Sequence, residues 1–481
     1  MCGIVGFTSP PGKKVVHDLI YGLLSLQHRG QDSAGVVTFD GMFHTKKGKG
    51  LVSEVFSEKH FKRLKGNTGV GHVRYTTHGT DDLSNAQPII TNYPFGIAMV
   101  HNGNVTNFKE MSRIMHEEYH VMPTSTNDLE VILYTFAAEL RKKALKNIDV
   151  KDIFDAVRIT QQKVEGAYAV IAVIANHGLL AFMDPHGIRP LVFGKRETDE
   201  GTVYGFASEN VAFDHLGYKV IKDLEPGEII FIDHSGKVHT TTGYKKKQHF
   251  CVFEYIYFAR EDSQFYGELV AGKRVRMGQI IARKIKTSGL KPDIVIDVPS
   301  SGYFAASGLA EALGIPHYRG LVKSNYLGRS FIAPTQDERE EIVKRKLNPI
   351  KKTIEGKKIV VVDDSIVRGT TSKRLVKLLR EAGAREIYFV SAAPPVKYPC
   401  VYGIDMSIET ELIAHQKNIE QIREYIGADA LFYLDPGDLK EIFSKVSFCD
   451  ACFTGNYPTP GVEKVLRDIA SERLQSKNSG S

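Results

Sequence analysis

Cys2 follows Met1 and precedes Gly3. A small second residue permits removal of the initiator methionine, which leaves a thiol and a free α-amine on one residue. The thiol is a nucleophile, and an amine with a reference pKa of about 7.7–8.0 can take its proton. A second chemical signature is Ile359-Val360-Val361-Val362-Asp363-Asp364-Ser365-Ile366-Val367-Arg368-Gly369-Thr370-Thr371-Ser372. There an apolar strand ends in two carboxylates, and a turn carrying Ser365, Arg368, Gly369, Thr370 and Thr371 opens a helix. Such a turn offers N–H groups and hydroxyls to a phosphate, while the carboxylates suit ribose hydroxyls and a magnesium ion. It is not a GxxxxGK[ST] loop. The remaining cysteines are Cys251, Cys400, Cys449 and Cys452, with one C-x₂-C pair. Four thiolates suit zinc or an iron–sulfur cluster, and buried free thiols are the plainer alternative.

These groups need elements to hold them. Residues 1 to about 235 read as short strands punctuated by glycine: Gly3 to Phe7, Gly69 to Tyr75, Gly96 to Val100, Ala167 to Ile174, Leu179 to Met183 and Glu228 to Ile232. Between them an amphipathic helix is predicted from residue 127 or 128 to 143, with Leu129, Ile132, Leu133, Phe136 and Leu140 on one face. From about residue 268 the pattern becomes strand, loop, helix. Strands are predicted over 293–298, 358–362 and 386–392, and helices over 305–313 and 371–383, an order that argues for a parallel sheet. Residues 416–447 read as helical and the tail after Ser471 as frayed. The chain of 481 residues is 42% hydrophobic and 25% charged, ample for buried cores. The longest apolar stretch, Tyr168 to Ala175, falls short of the ~20 residues that span a bilayer. No secretory leader is expected, and five cysteines fit a reducing compartment, so the expected location is cytoplasmic. A net charge of +7 without interleaved aromatic and basic residues speaks against nucleic acid and suits small phosphorylated ligands. The run Lys245 to Lys247 is expected to be a solvated face.

Four segments of the first half occur together: Met1-Cys2-Gly3-Ile4-Val5-Gly6, Gln27-His28-Arg29-Gly30-Gln31-Asp32-Ser33-Ala34-Gly35, Gly71-His72-Val73-Arg74-Tyr75-Thr76-Thr77 and His101-Asn102-Gly103-Asn104. In this order they resemble the class II glutamine amidotransferases, which are N-terminal-nucleophile hydrolases with an αββα sandwich. The resemblance implies that Cys2 attacks the glutamine amide. Arg74 would clamp the α-carboxylate, and Asp128 would take the α-ammonium. The Asn102 side chain and the Gly103 N–H would form the oxyanion hole. By themselves Arg74 reads as a surface ion pair and Asp128 as a helix cap. His28, His72 and His101 are expected to be structural hydrogen-bonders.

The Asp363-Asp364 segment resembles the signature of the type I phosphoribosyltransferases, and the stretch from Lys323 to Leu347 resembles their mobile loop over pyrophosphate. Amidophosphoribosyltransferases carry both halves in this order, and Phe253-Glu254-Tyr255-Ile256-Tyr257-Phe258-Ala259-Arg260 is similar to their linker. The resemblance implies synthesis of 5-phosphoribosylamine from glutamine and phosphoribosyl pyrophosphate, the first step of purine biosynthesis. It also implies magnesium at Ser301, Asp363 and Asp364, purine nucleotide inhibitors and a homotetramer. The contexts of Cys251, Cys400, Cys449 and Cys452 resemble the branch of that family with a 4Fe–4S cluster. Expected boundaries are 2–235 for the amidotransferase domain, 236–267 for the linker, 268–447 for the phosphoribosyltransferase domain and 448–481 for a C-terminal segment. Glu261, Ser300 and Asn325 depart from the family pattern. Two rivals remain. One is another class II amidotransferase, disfavoured by Asp363-Asp364; the other is a non-catalytic phosphoribosyl-pyrophosphate sensor, disfavoured by Cys2.

Overall fold

The computed structural model describes residues 1–75, 82–143, 145–323, 347–406 and 408–478. Thr76, Thr77, Asn325 and nearly all of the stretch compared to a mobile loop lie outside them. In the first half, two antiparallel sheets stack. One has seven strands in the order Lys219–Asp223, Val192–Thr198, Gly201–Ala207, Gly3–Thr8, Thr68–Arg74, Ser33–Phe39, Phe43–Lys49. The other has six: Val238–Thr242, Glu228–Asp233, Gly178–Met183, Gly166–Ile174, Ile97–Val105, Ile89–Thr91.

Alternation along each strand builds the layers. Ile4 of Gly3–Thr8 joins Val70, Ala98, Val100, Ala169 and Ile171 in the core between the sheets. Its neighbours Val5 and Phe7 pack instead with Val16, Leu19, Ile20 and Leu23 of the helix Val16–Ser25. On the far side, helices Leu129–Arg141 and Val150–Lys163 cover the six-stranded sheet through Ile132, Leu133, Phe136, Ile153 and Val157. The result is an αββα sandwich, as expected.

The second half holds a parallel sheet ordered Ile294–Asp297, Lys358–Asp363, Glu386–Ser391, Ala430–Tyr433. Both faces are covered, as parallel sheets require. Ile359 and Val361 pack with Leu375 and Leu379 of helix Thr370–Glu381. Val360 and Val362 face Met277, Ile281 and Leu309 from helices Val270–Thr287 and Tyr303–Leu313.

Two expectations need correction. Residues 416–447 are not uniformly helical: helix Ile419–Ile426 is followed by strand Ala430–Tyr433, whose short apolar run carries no periodicity to tell it from helix. The chain after Ser471 does not leave secondary structure at once, because helix Val462–Asn478 continues through it. Among the described residues no helix is long and apolar enough to cross a membrane.

Candidate active sites and cysteine cavity

Strand Gly3–Thr8 lies between Thr68–Arg74 and Gly201–Ala207, which puts Cys2 at the mouth of the sandwich. A cavity of about 500 Å³ opens there, lined by Cys2, Arg74, Tyr75, His101, Gly103 and Asp128 among others. The Cys2 N–H donates to Asn102 Oδ1 at 3.1 Å, and Cys2 Sγ lies 3.9 Å from the Tyr75 carbonyl oxygen. Asn102 Nδ2 is buried with no hydrogen-bond partner among the described residues. A buried amide donor left unpaired costs stability, so its place beside the Cys2 thiol points to a ligand oxygen.

Arg74 ends its strand 6% exposed, which excludes a surface ion pair. Asp128 sits at the start of its helix but makes no side-chain cap. Its Oδ2 instead accepts from the Val105 N–H at 2.9 Å, and Asn127 Oδ1 takes the Leu129 N–H. Gly103 has φ +155, and a Cβ there would stand 1.8 Å from the Ala167 carbonyl oxygen, so only glycine fits.

Two of the three histidines behave as expected. His28 Nε2 meets Glu209 Oε1 at 2.8 Å, and Gln87 Nε2 donates to His101 Nδ1 at 2.8 Å. His101 Nε2 lies 3.2 Å from Asp128 Oδ1 but makes no hydrogen bond among the described residues. His72 departs from the expectation: both ring nitrogens are buried without hydrogen-bond partners among the described residues. Burial, then the nearby His101 and Arg74, hold it well below its ordinary pKa.

Arg29 had no assigned role, yet it braces Cys2. Its Nε donates to the Cys2 carbonyl oxygen at 3.0 Å, and its fork reaches Glu209 at 2.5 Å and Glu254 at 2.8 Å. All three charged side chains are fully buried. Glu254 opens the helical turn Glu254–Phe258, so that turn is tied through Arg29 to Cys2. The segment Gln27 to Gly35 drew notice as a motif, but Arg29 stands there among Gln27, His28, Gln31 and Asp32, and nothing local marks it as buried.

A second cavity, of about 780 Å³, lies beyond Met1 and Tyr75, and Tyr75 lines both. Its walls include Ser301, Asp363, Asp364, Ser365, Arg368, Gly369, Thr370 and Thr371. The carboxylates close strand Lys358–Asp363, and helix Thr370–Glu381 starts after Gly369, at φ +75. Asp363 Oδ1 accepts the Asp364 N–H at 2.9 Å, and Ser365 Oγ donates to Asp364 Oδ2 at 2.7 Å. Burial and the adjacent Asp364 raise the Asp363 pKa well above the carboxylate range. Arg368 is turned toward Glu411, with its NH2 group 2.6 Å from Oε2.

The remaining cysteines come from three distant segments into one small cavity, lined by Cys251, Cys400, Cys449, Cys452 and Arg189. Strands Phe250–Cys251 and Phe448–Cys449 pair in parallel, with Cys251 opposite Cys449. All four are buried, and none is in a disulfide. Burial pushes the Cys251 thiol up to about 11 and raises Cys449 and Cys452 well above the ordinary range. The Tyr402 N–H points at Cys400 Sγ, 3.4 Å away. Among the described residues no group of three or more His, Cys, Asp or Glu is gathered as ligands of one metal ion.

The first cavity has a wall the sequence did not announce. Gly461, Lys464, Val465, Asp468 and Ile469 of the C-terminal segment line it, and Lys109 pairs with Asp468 at 3.1 Å. The spacing of Val462, Val465, Leu466 and Ile469 was the available signal.

Comparison with known proteins agrees with both halves. Residues 72–215 match a glutamine amidotransferase domain family, and residues 272–421 a phosphoribosyl transferase domain family. Amidophosphoribosyltransferase of Haemophilus influenzae is 43% identical, over 98% of this chain and 96% of its own length. That of Escherichia coli is 44% identical, over 99% and 98%. Among solved structures, a glutamine phosphoribosylpyrophosphate amidotransferase from B. subtilis, complexed with ADP and GMP, superposes with a TM-score of 0.84. It has 38% identity, over 95% of this chain and 97% of that one.

Proposed function

The chain belongs to the amidophosphoribosyltransferase family, and from that premise we propose which residues carry the reaction. The activity is that of a pentosyltransferase with glutamine amidotransferase activity. Nitrogen from glutamine displaces pyrophosphate from phosphoribosyl pyrophosphate, giving 5-phosphoribosylamine for purine synthesis. With Met1 removed, the Cys2 α-amine takes the thiol proton and Sγ attacks the glutamine amide. Asn102 Nδ2 and the Gly103 N–H stabilise the oxyanion, ammonia leaves, and water hydrolyses the thioester. Arg74 and Asp128 hold the α-carboxylate and α-ammonium. Ammonia then reaches the second cavity and attacks C1 of the sugar. The observation that carries this reading is the contiguity of the cavities: Cys2 lines one, Met1 the other, and Tyr75 both.

In the second cavity Asp363 and Asp364 hold the ribose hydroxyls, while Ser365, Gly369, Thr370 and Thr371 cradle the 5-phosphate at the helix start. Arg368, engaged by Glu411 here, would turn inward for a ligand. Magnesium fits, because two buried neighbouring carboxylates call for a cation; Ser301, Asp363 and Asp364 would hold it. Bound there, magnesium would supply charge neutralisation for the departing pyrophosphate.

A 4Fe–4S cluster is the reading we favour for the cysteine cavity. Four buried thiols face one space, a backbone N–H points at one sulfur, and the cationic Arg189 stands ready to offset thiolate charge. A cluster is larger than one ion, so its ligands stand farther apart than those of zinc. It would tie residues 236–267, the phosphoribosyltransferase domain 268–447 and the segment 448–481 to one another, with the amidotransferase domain at 2–235. A homotetramer and purine nucleotide control complete the proposal; the nucleotides bound in the B. subtilis relative support the control. A cytoplasmic location is supported by five unpaired cysteines.

Assay of pyrophosphate release with glutamine labelled at its amide nitrogen tests the reading. The label should appear in phosphoribosylamine in step with pyrophosphate. Glutamine hydrolysis with no pyrophosphate release would point to another amidotransferase, and binding without turnover to a sensor.

A further inference from the structure

One short segment, Asn85-Ala86-Gln87, grips two walls of the first cavity. Asn85 and Gln87 are 1% and 3% exposed. Gln87 lies just before strand Ile89–Thr91, whose Ile89 pairs with Met99, so in that register residue 87 falls opposite His101. Pro88 offers no N–H to continue the ladder, and the Gln87 side chain takes its place. Its Oε1 accepts the His101 N–H at 2.7 Å, and its Nε2 donates to His101 Nδ1 at 2.8 Å. Asn85 reaches the other wall. Its Oδ1 accepts the Thr126 N–H at 3.1 Å, and its carbonyl oxygen accepts from Asn127 Nδ2 at 2.7 Å. Between them the Ala86 carbonyl oxygen accepts from Lys47 Nζ at 2.7 Å. The segment is also pressed against strand Ser33–Phe39, where a Cβ on Gly35 would stand 2.0 Å from the Gln87 carbonyl oxygen.

The residues gripped are next to the two groups that would meet opposite ends of the substrate: His101 precedes Asn102, and Asn127 precedes Asp128. We propose that Asn85 and Gln87 are positioning residues that fix the span between the oxyanion donor Asn102 and the ammonium holder Asp128, and so select an amide of glutamine's length. The inference rests on the roles proposed above for Asn102 and Asp128. In a free amino acid the amide carbon and the α-ammonium are a set number of bonds apart. Attack and oxyanion stabilisation are then productive only when the two anchors stand at the matching distance. Buried amides bonded at both ends resist displacement, which suits them to hold that distance. The Val105 N–H, which donates to Asp128 Oδ2 at 2.9 Å, closes the frame at the far end of the strand that carries Asn102.

The test labels Cys2 in the full chain with two diazoketones. 6-Diazo-5-oxo-L-norleucine has glutamine's length, and 5-diazo-4-oxo-L-norvaline is one methylene shorter. Iodoacetamide, which needs neither anchor, reports the thiol itself. In the unaltered protein the longer diazoketone should react about 10–200-fold faster than the shorter, the discrimination that one methylene supports. In Gln87→Leu and in Asn85→Ala that ratio should fall about fivefold or more, while iodoacetamide labelling stays within about twofold. Should Gln87→Leu fail to fold, Asn85→Ala, which keeps the carbonyl hold on Asn127, decides alone. An unchanged ratio in either variant that folds would overturn the proposal, and so would iodoacetamide labelling that falls by the same factor as labelling by the longer diazoketone. Asp128→Ala separates the underlying reading: if the longer diazoketone labels it as fast as the unaltered protein, the ammonium assignment fails whatever the Asn85 and Gln87 variants do.

Discussion

At the scale of single residues, the neighbours of Cys2 divide into those proposed to react and those that hold it in place. Asn102 uses Oδ1 on the Cys2 nitrogen and keeps Nδ2 unpaired. Asn102→Ala should therefore lower glutamine-dependent kcat by about 10²–10³, the usual effect of one oxyanion donor, and leave ammonia-dependent synthesis near its starting rate. Parallel assays with the two nitrogen donors check this. His72 gives a pH prediction. Folded, it stays neutral far below its ordinary pKa; unfolded, it binds a proton below about 6.5. The unfolded state then binds more protons, so stability falls as pH drops through that value. Urea unfolding at about pH 5.5 and about pH 7.5 should show the lower midpoint in acid, and His72→Asn should flatten the difference. That Cys2, Arg74 and Asp128 share one cavity was legible from the short motifs that hold Cys2 and Arg74 and from the resemblance that implied Asp128. The partnerless state of His72 and the brace at Arg29 were not, because both depend on segments far away in sequence.

At the scale of elements, strand Lys358–Asp363 delivers two carboxylates to the edge of a cavity and helix Thr370–Glu381 begins just beyond. Asp364→Asn should damage phosphoribosyl transfer with both glutamine and ammonia and leave unstimulated glutaminase intact. Normal transfer to ammonia would mean that the loop has been misread. Most of the strands and helices in both halves were readable, because alternation and helical spacing are strong where both faces of an element have clear partners. The strand Ala430–Tyr433 was missed because its four residues carry no period. The helix Val462–Asn478 was not read from the sequence, where the chain after Ser471 was taken as a frayed polar tail, and its first half forms a wall of the first cavity.

At the scale of the whole molecule, the halves meet through the Arg29–Glu254 pair, the Asn104–Val401 and Arg189–Tyr402 hydrogen bonds and the cysteine cavity. Anaerobically prepared protein should be brown, with about four iron and four sulfide per chain. Ser in place of Cys251, Cys400, Cys449 or Cys452 should lower both the iron content and the yield of folded protein. One zinc per chain in colourless, active protein would replace the cluster by a zinc site; metal-free active protein would restore plain buried thiols. The cysteines' convergence could not be read from their spacing, since only the fold brings residue 251 beside residue 449. The most direct measurement is pyrophosphate release by Cys2→Ala with each nitrogen donor. Glutamine should support none, and high ammonia should support nearly the rate of the unaltered enzyme, because the acceptor cavity is separate. Glutamine-dependent release that survives in Cys2→Ala would contradict the account.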